Sequence, residues 1–273
     1  MKSLAGAVLV TGAAVAALTG CGMSFTSTTY HADNTYDVPG QVGKLKMKLD
    51  SDNVEIVGSD VAKISVHELL SYSKNRKPTP RHTVEGGTLT LGYECPGGIT
   101  IGINNCSVGY KVQVPRGTSV EVADSSGTIT LVGIGGTVDA SASSGNIIGT
   151  DLRGAQVTLN ADSGQIRLKD VVGSLQAKAS SGDIDGEGLR GGKVSAEADS
   201  GHVSLKFAAV PANVDVKASS GDIRLWLPGR QSYAVDATAD SGAKDVGVST
   251  DPGSPHKVKA TADSGNVTIT PTP

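Results

Sequence analysis

The sequence predicts an all-β protein built as a β-solenoid, a stack of coils of about 18–23 residues each. Three observations carry this. ADSGQI at Ala161–Ile166 returns as ASSGNI, ASSGDI, ADSGHV, ASSGDI and ADSGNV. Apolar residues occupy every second position on both sides of each Ser-Gly, the period of a strand with one buried face. Like positions also match from copy to copy, as stacked coils require and an antiparallel meander does not. In a meander the turn favours Asn-Gly or Asp-Gly instead.

The first segment, residues 1–20, opens with Met1-Lys2-Ser3 and continues through the uncharged run Leu4–Leu18. A charged start and an apolar run too short to span a bilayer describe a secretory signal. Its ending, Leu18-Thr19-Gly20-Cys21, resembles the lipobox of bacterial lipoproteins. That resemblance implies cleavage before Cys21 and a diacylglyceryl group on its thiol. Residues 21–34 are then the lipidated cysteine and a linker.

Residues 35–117 form an irregular N-terminal part. Leu45–Ile56 fits the repeat template with Asp52 where glycine usually stands, so it counts as a degenerate coil. Beyond it come VAKISVHEL, whose alternation favours strand, the basic stretch SKNRKPTPRH, and CPGGITIGINNC. Cys95 and Cys106 remain once Cys21 is assigned to lipid. An even pair in an oxidising compartment is expected to form a disulfide, and no further Cys or His in the loop completes a metal site.

The regular array fills residues 118–273. Its reference serines are Ser126, Ser144, Ser163, Ser181, Ser200, Ser220, Ser241 and Ser264, at steps of 18, 19, 18, 19, 20, 21 and 23. Six positions before each stands Val or Leu, and two before stands Ala in all but the first copy, which has Asp124. After the glycine the alternation resumes with shifted phase, as at a bend between two strands. Each coil therefore reads as strand, corner, strand. The copy at Ser241 departs, with Ala243-Lys244-Asp245-Val246 after its glycine. Outward positions alternate along the stack as well: Ser143, Asp162, Ser180, Asp199, Ser219, Asp240, and Lys178, Glu197, Lys217. Such alternation separates like charges on adjacent strands.

The lipobox, the CP…C loop, the lead-in VQVPRGTSVEV and the tandem Ser-Gly-x-Ile/Val strands together resemble the bacterial putative-adhesin β-strand-repeat lipoproteins, a domain family of unknown function. The likeness spans nearly all of the chain after the signal. It implies a right-handed β-helix-like stack at the cell surface, and related domains occur in cell-envelope stress systems.

Composition narrows the function. Aromatic residues make up 3%, so the interior must be thin and aliphatic; the net charge of −3 gives no basis for nucleic-acid binding. GEGLRG at Gly186–Gly191 matches a dinucleotide fingerprint by letter, but strand alternation follows where a helix is required. DIDGEG at Asp183–Gly188 lacks the closing Glu of a calcium loop. A serine repeated in eight copies argues for a structural ladder rather than one nucleophile, and no G-x-S-x-G occurs. Neither catalytic residue, metal nor cofactor is expected.

Two features remain as candidate surface-binding residues. Trp226 alternates outward in IRLWLPG, and exposed aromatics favour interfaces. Asp183, His202 and Asp222 each follow a repeat glycine in consecutive coils, so in-register stacking places them in one column with a carboxylate on either side of the imidazole. The expected function is a lipid-anchored cell-surface module for binding, adhesion or scaffolding, held to the membrane by its N-terminal lipid and facing an envelope polysaccharide or surface protein. A β-helix carbohydrate-active enzyme and an envelope-stress component acting through protein contacts are the alternatives.

Overall fold

The computed structural model describes residues 28–97 and 105–272. Cys21, with the signal segment before it, lies outside these residues. The described part contains 23 strands in two sheets of eleven and twelve. Eighteen of the strands form nine coils, each with one strand before its corner and one after. Coil 1 is Lys44–Leu49 and Val54–Ser59, the degenerate copy, and coil 2 is Ser119–Asp124 and Ile129–Val132. Coil 3 is Val138–Ala142 and Ile147–Leu152, coil 4 Gln156–Ala161 and Ile166–Val171, and coil 5 Ser174–Ala179 and Ile184–Leu189. Coil 6 is Lys193–Ala198 and Val203–Phe207, and coil 7 Asn213–Ser220 and Ile223–Leu227. Coil 8 is Ala234–Ala239 and Lys244–Val246, and coil 9 Lys257–Ser264 and Val267–Pro271. Strands before the corner stack into a leading sheet and strands after it into a trailing sheet.

All coil-to-coil pairings are parallel and hold the register that the repeat implies, except that the trailing strands of coils 5 and 6 shift by one residue after Gly186, so that Leu189 pairs with Phe207. Val120, Val138, Val157, Leu175, Val194 and Val214 are direct partners in turn, as are Ala142, Ala161, Ala179, Ala198 and Ala218. Both columns are buried. Across the thin interior the trailing sheet supplies the volume, with Ile166, Leu168 and Val171 in coil 4 and Val203, Leu205 and Phe207 in coil 6. Small residues on one sheet and large ones on the other let the two layers interdigitate. On the outer surface the expected Lys178, Glu197, Lys217 column is in register, with Lys178 Nζ 3.4 Å from Glu197 Oε2.

The repeat glycines are needed for a different reason from the one their bend suggests. None of Gly127, Gly145, Gly164, Gly182, Gly201, Gly221, Gly242 and Gly265 has a positive φ. Each instead lies against the backbone of the coil beneath. A Cβ on Gly145, Gly164, Gly182, Gly201 or Gly221 would come closer than 3.0 Å to the carbonyl oxygen of the preceding repeat glycine. The constraint is clearance, not dihedral freedom. In coil 1 Asp52 takes this place with φ of 102°. Its carboxylate accepts hydrogen bonds from Ser107 Oγ at 2.8 Å and from the N–H of Asn53 at 3.0 Å, the second a local bond of the kind that lets Asp adopt such a backbone.

At the C-terminal end the coils do not stack in chain order. Coil 9 pairs with coil 7 in both sheets, and coil 8 pairs only with coil 9, on the outside. This explains the irregular residues after Gly242, because the trailing strand of coil 8 has a neighbour on one side only. It also ends the Ser/Asp alternation, since coils 9 and 8 bring Asp263 and Asp240 onto adjacent strands.

The N-terminal end is closed by five more strands. In the leading sheet Thr88–Glu94 pairs in parallel with coil 1, and Thr79–Glu85 pairs antiparallel outside it. In the trailing sheet Cys106–Pro115 is parallel to coil 1, followed by Ser65–Ser73 and Thr29–Asp37, both antiparallel. HELLSYS is therefore strand. The strand Thr29–Asp37 overlaps the stretch read as a linker to Asn34, with Tyr30, Ala32, Asn34 and Tyr36 on one of its faces. At this end buried Glu68 accepts hydrogen bonds from Tyr36 Oη at 2.8 Å and Asn34 Nδ2 at 3.1 Å. Burial and the Glu68 carboxylate raise the Tyr36 hydroxyl well above its ordinary range. Cys95 and Cys106 are joined as a disulfide with Cα atoms 6.1 Å apart, tying the leading-sheet strand Thr88–Glu94 to the trailing-sheet strand Cys106–Pro115.

Two measurements follow from the stack. Gly182→Ala forces a methyl group onto the Gly164 carbonyl, and overpacking of this kind costs about 1–3 kcal/mol. Gly192 has no atom within 4 Å of an added Cβ, so Gly192→Ala should leave stability unchanged or raise it slightly in denaturant melts. Equal losses in the two variants would contradict the clearance constraint.

Asp124 supplies the second. It occupies an Ala-column site, is 3% exposed, and its Oδ2 has no hydrogen-bond partner. Burial first, and then the nearby Asp52 and Asp50 charges, push its carboxyl up, against the opposing pull of the Ser126 and Ser125 N–H groups. A raised folded-state value means that protonation stabilises the fold, and that this stabilisation is lost as pH rises through the raised range. Asp124→Ala should therefore stabilise at neutral pH, by about 1–3 kcal/mol for removal of an unpaired buried group. The advantage should shrink as pH falls below the ordinary carboxylate range.

Candidate functional site

At each coil's corner, the residue after the repeat glycine directs its N–H along the stack axis. In most coils a side chain from the coil beneath meets it. Asn53 Oδ1 accepts from the N–H of Thr128 and Asn146 Oδ1 from that of Gln165, both at 2.9 Å. Asp183 Oδ1 accepts from the N–H of His202 at 2.8 Å, and His202 Nδ1 from that of Asp222 at 2.9 Å. Asp222 Oδ1 then accepts from Asn266, and Asn266 Oδ1 from Ala243, each at 2.9 Å. The corner carbonyls accept from the next strand of the coil beneath, as Asp183 does from Ile166 N–H and His202 from Ile184 N–H. These bonds satisfy most of the corner's polar backbone groups within the stack.

Asp183, His202 and Asp222 do form one exposed column, in the expected order. The carboxylates do not face the imidazole, however; each is spent on the backbone of the coil above. The N–H of Asn266, and to a lesser degree Arg224 and His202, hold the Asp222 carboxyl below the usual carboxylate range despite some desolvation. Arg224 Nη2 lies 2.8 Å from Asp222 Oδ2. This column is chiefly a structural ladder. Among the described residues no group of three or more His, Cys, Asp or Glu is arranged to hold a metal.

Trp226 lies elsewhere, in mid-strand on the outer face of the trailing sheet. It is in register with Lys206 on one side and Thr270 on the other. Around it runs a shallow groove of about 550 Å³, lined by Arg167, Asp185, Glu187, Ser204 and Lys206 in addition to the indole. Register makes this cluster. Arg167, Asp185 and Ser204 are partners two residues past the corner, and Lys169, Glu187, Lys206 and Trp226 are the row two residues further on. Lys206 Nζ sits 3.8 Å from Glu187 Oε1. Burial, and then the Asp183 charge, raise the Asp185 carboxyl, while Arg167 and His202 oppose the shift.

The structure therefore separates the sequence-derived candidates into two places, a corner column and the Trp226 groove. Arg167, Asp185, Glu187, Ser204 and Lys206 were not singled out by the sequence. A signal for them exists, since each sits an even number of residues from a corner residue and so shares its outward face. An isolated charged residue in a strand looks the same whether it lines a groove or only meets solvent.

No curated protein matches the chain. Among solved structures, one similar chain is a putative adhesin from Bacteroides fragilis, 15% identical, covering 89% of this chain and 97% of its own, at a TM-score of 0.48. Another is a putative adhesin from Parabacteroides merdae, 12% identical, with 89% and 96% covered and a TM-score of 0.37. A third is a putative cell adhesion protein from Clostridium sporogenes, 14% identical, with 89% and 100% covered and a TM-score of 0.29. The Toastrack DUF4097 family model matches residues 42–270, from just before coil 1 into the last strand of coil 9. With that match spanning well over half of the sequence, the chain belongs to the Toastrack DUF4097 family.

Proposed function

We propose that this protein is a lipid-anchored, extracytoplasmic binding module without catalysis, which holds a surface glycan on the outer face of its trailing sheet. The observation that carries the reading is the groove at Trp226. An indole flanked by carboxylates, an amine and a guanidinium offers a flat apolar surface for a sugar ring and donors and acceptors for its hydroxyls. Its volume lies in the range of small-ligand sites. Family membership supports a binding role, and the parallel trailing sheet gives the groove a continuous hydrogen-bonded floor. The lipobox-like Leu18-Thr19-Gly20-Cys21 supports attachment to the cell membrane through a lipid on Cys21. Mass spectrometry of membrane-extracted protein should find Cys21 as a diacylglyceryl-modified N-terminus; an unmodified start would remove the anchor and leave the groove untouched.

Trp226 is the chain's one tryptophan, so intrinsic fluorescence reports on the groove directly. Titration with cell-surface polysaccharides should shift the emission. Trp226→Ala should weaken glycan binding by roughly thirtyfold, the loss typical of a central aromatic contact. Glycan binding that is unaltered in Trp226→Ala would refute the site.

A second reading, a β-helix carbohydrate-active enzyme, is favoured by Asp185. A carboxyl raised by burial, with Glu187 two residues along the same face, is the kind of pair that glycosidic cleavage employs. Turnover of a glycan that disappears in Asp185→Asn, with binding retained, would decide for the enzyme.

A further inference from the structure

We infer that the N-terminal end of the solenoid is a docking surface for an anionic phospholipid bilayer, which stands the stack upright on the membrane. Exposed apolar side chains are concentrated there. Of the four large apolar residues most exposed among the described ones, Tyr30 and Val84 lie on the outermost strands Thr29–Asp37 and Thr79–Glu85, and Leu69 lies on the next strand, Ser65–Ser73, on the opposite face of the sheet from Tyr30 and Tyr72. Val172 alone is elsewhere.

Cations lie beside them. Lys74, Arg76, Lys77 and Arg81 fall within eight residues, and no carboxylate occurs from Leu69 to Val84. Arg81 pairs with Glu94 at 2.9 Å. Lys74, Arg76 and Lys77 make no ion pair among the described residues, and both lysines are exposed. The two sets are contiguous: Tyr30 stacks on Tyr72 with ring centroids 5.8 Å apart, and Lys77 Nζ stands 5.9 Å from the Tyr72 centroid. The carboxylates on these end strands are Asp33, Asp37, Glu68, Glu85 and Glu94, of which Glu68 is buried, Asp33 faces His67 and Glu94 faces Arg81.

Aromatic rings with a polar tip, aliphatic side chains and lysines on long stems are what a lipid headgroup layer accommodates. Each cation near an anionic surface contributes roughly fivefold in partitioning. The tether points the same way. Seven residues lie between Cys21 and Thr29, and the eight steps from one to the other reach at most about 29 Å. This tether step rests on the lipid anchor proposed above; the charge and exposure do not.

The test therefore omits the lipid. All described strands begin after Thr28, so the chain from Gly22 onward keeps the entire described fold. That chain should co-sediment with phosphatidylglycerol-containing vesicles, and neither with phosphatidylcholine alone nor at high salt. Lys74→Glu with Lys77→Glu should lower binding by roughly an order of magnitude or more. Lys257→Glu with Lys259→Glu, the same charge change on coil 9, should not. If the first pair unfolds the protein, Lys74→Gln with Lys77→Gln replaces it. Absence of phosphatidylglycerol-dependent binding overturns the inference, as do equal binding to neutral vesicles and equal losses in the two pairs. Glycan binding at Trp226 is unaffected by any of these results.

Discussion

The corner clearance between adjacent coils sets the terms for the rest of this molecule. With parallel strands at a spacing of about 4.8 Å, the chain turns between sheets so tightly that backbone meets backbone and a methyl group has no room. That fixes glycine at the turn. It also keeps coil-to-coil register from slipping, because a slip of one residue would push a serine or an outward side chain into the same gap. Once the corner is closed, its N–H groups need partners along the stack, and short polar side chains following the glycine supply them. The Ala column and the interdigitated core follow from the same thin interior.

This constraint also divides the surface by task. Corner positions are committed to holding neighbouring coils together, so their chemistry is largely spoken for even when it includes Asp and His. Mid-strand outward positions have no such duty. Their side chains leave the sheet surface without backbone obligations, and Arg167, Asp185, Glu187, Lys206 and Trp226 all lie there. A fold of this kind can change what it recognises by altering one outward row while the corner stays as it is.

Much of this was legible in the sequence, for a physical reason. Parallel in-register stacking makes each coil repeat the environment of the last, so burial appears as columns of Val, Ala and Ile that a single chain displays several times over. The column of Asp183, His202 and Asp222 was legible on the same basis, and the disulfide from an even pair of cysteines in an oxidising compartment. Three things were not. The glycine requirement looked conformational, because a close approach between residues 18–20 apart leaves no mark on either one locally. The orientation of Asp183 toward a backbone N–H rather than the imidazole depends on which atom lies nearer at a corner whose shape the letters do not convey. The groove needed three coils to be superposed before its members became neighbours.

The two ends of the stack differ in how they finish. Antiparallel strands, a buried carboxylate and a disulfide close the first, whereas the last depends on topology. Coil 8 pairs with no coil that precedes it in the chain; its partner in both sheets is coil 9, which follows it. During synthesis or export the earlier coils can add one upon another as they emerge. The native seat of coil 8 is coil 9 alone, so its final pairing can form only once Lys257–Pro271 is in place beneath it. Assembly of this end is therefore a single closing event rather than one more increment. The stack cannot lengthen by repeating its last step, since that step runs backward along the chain.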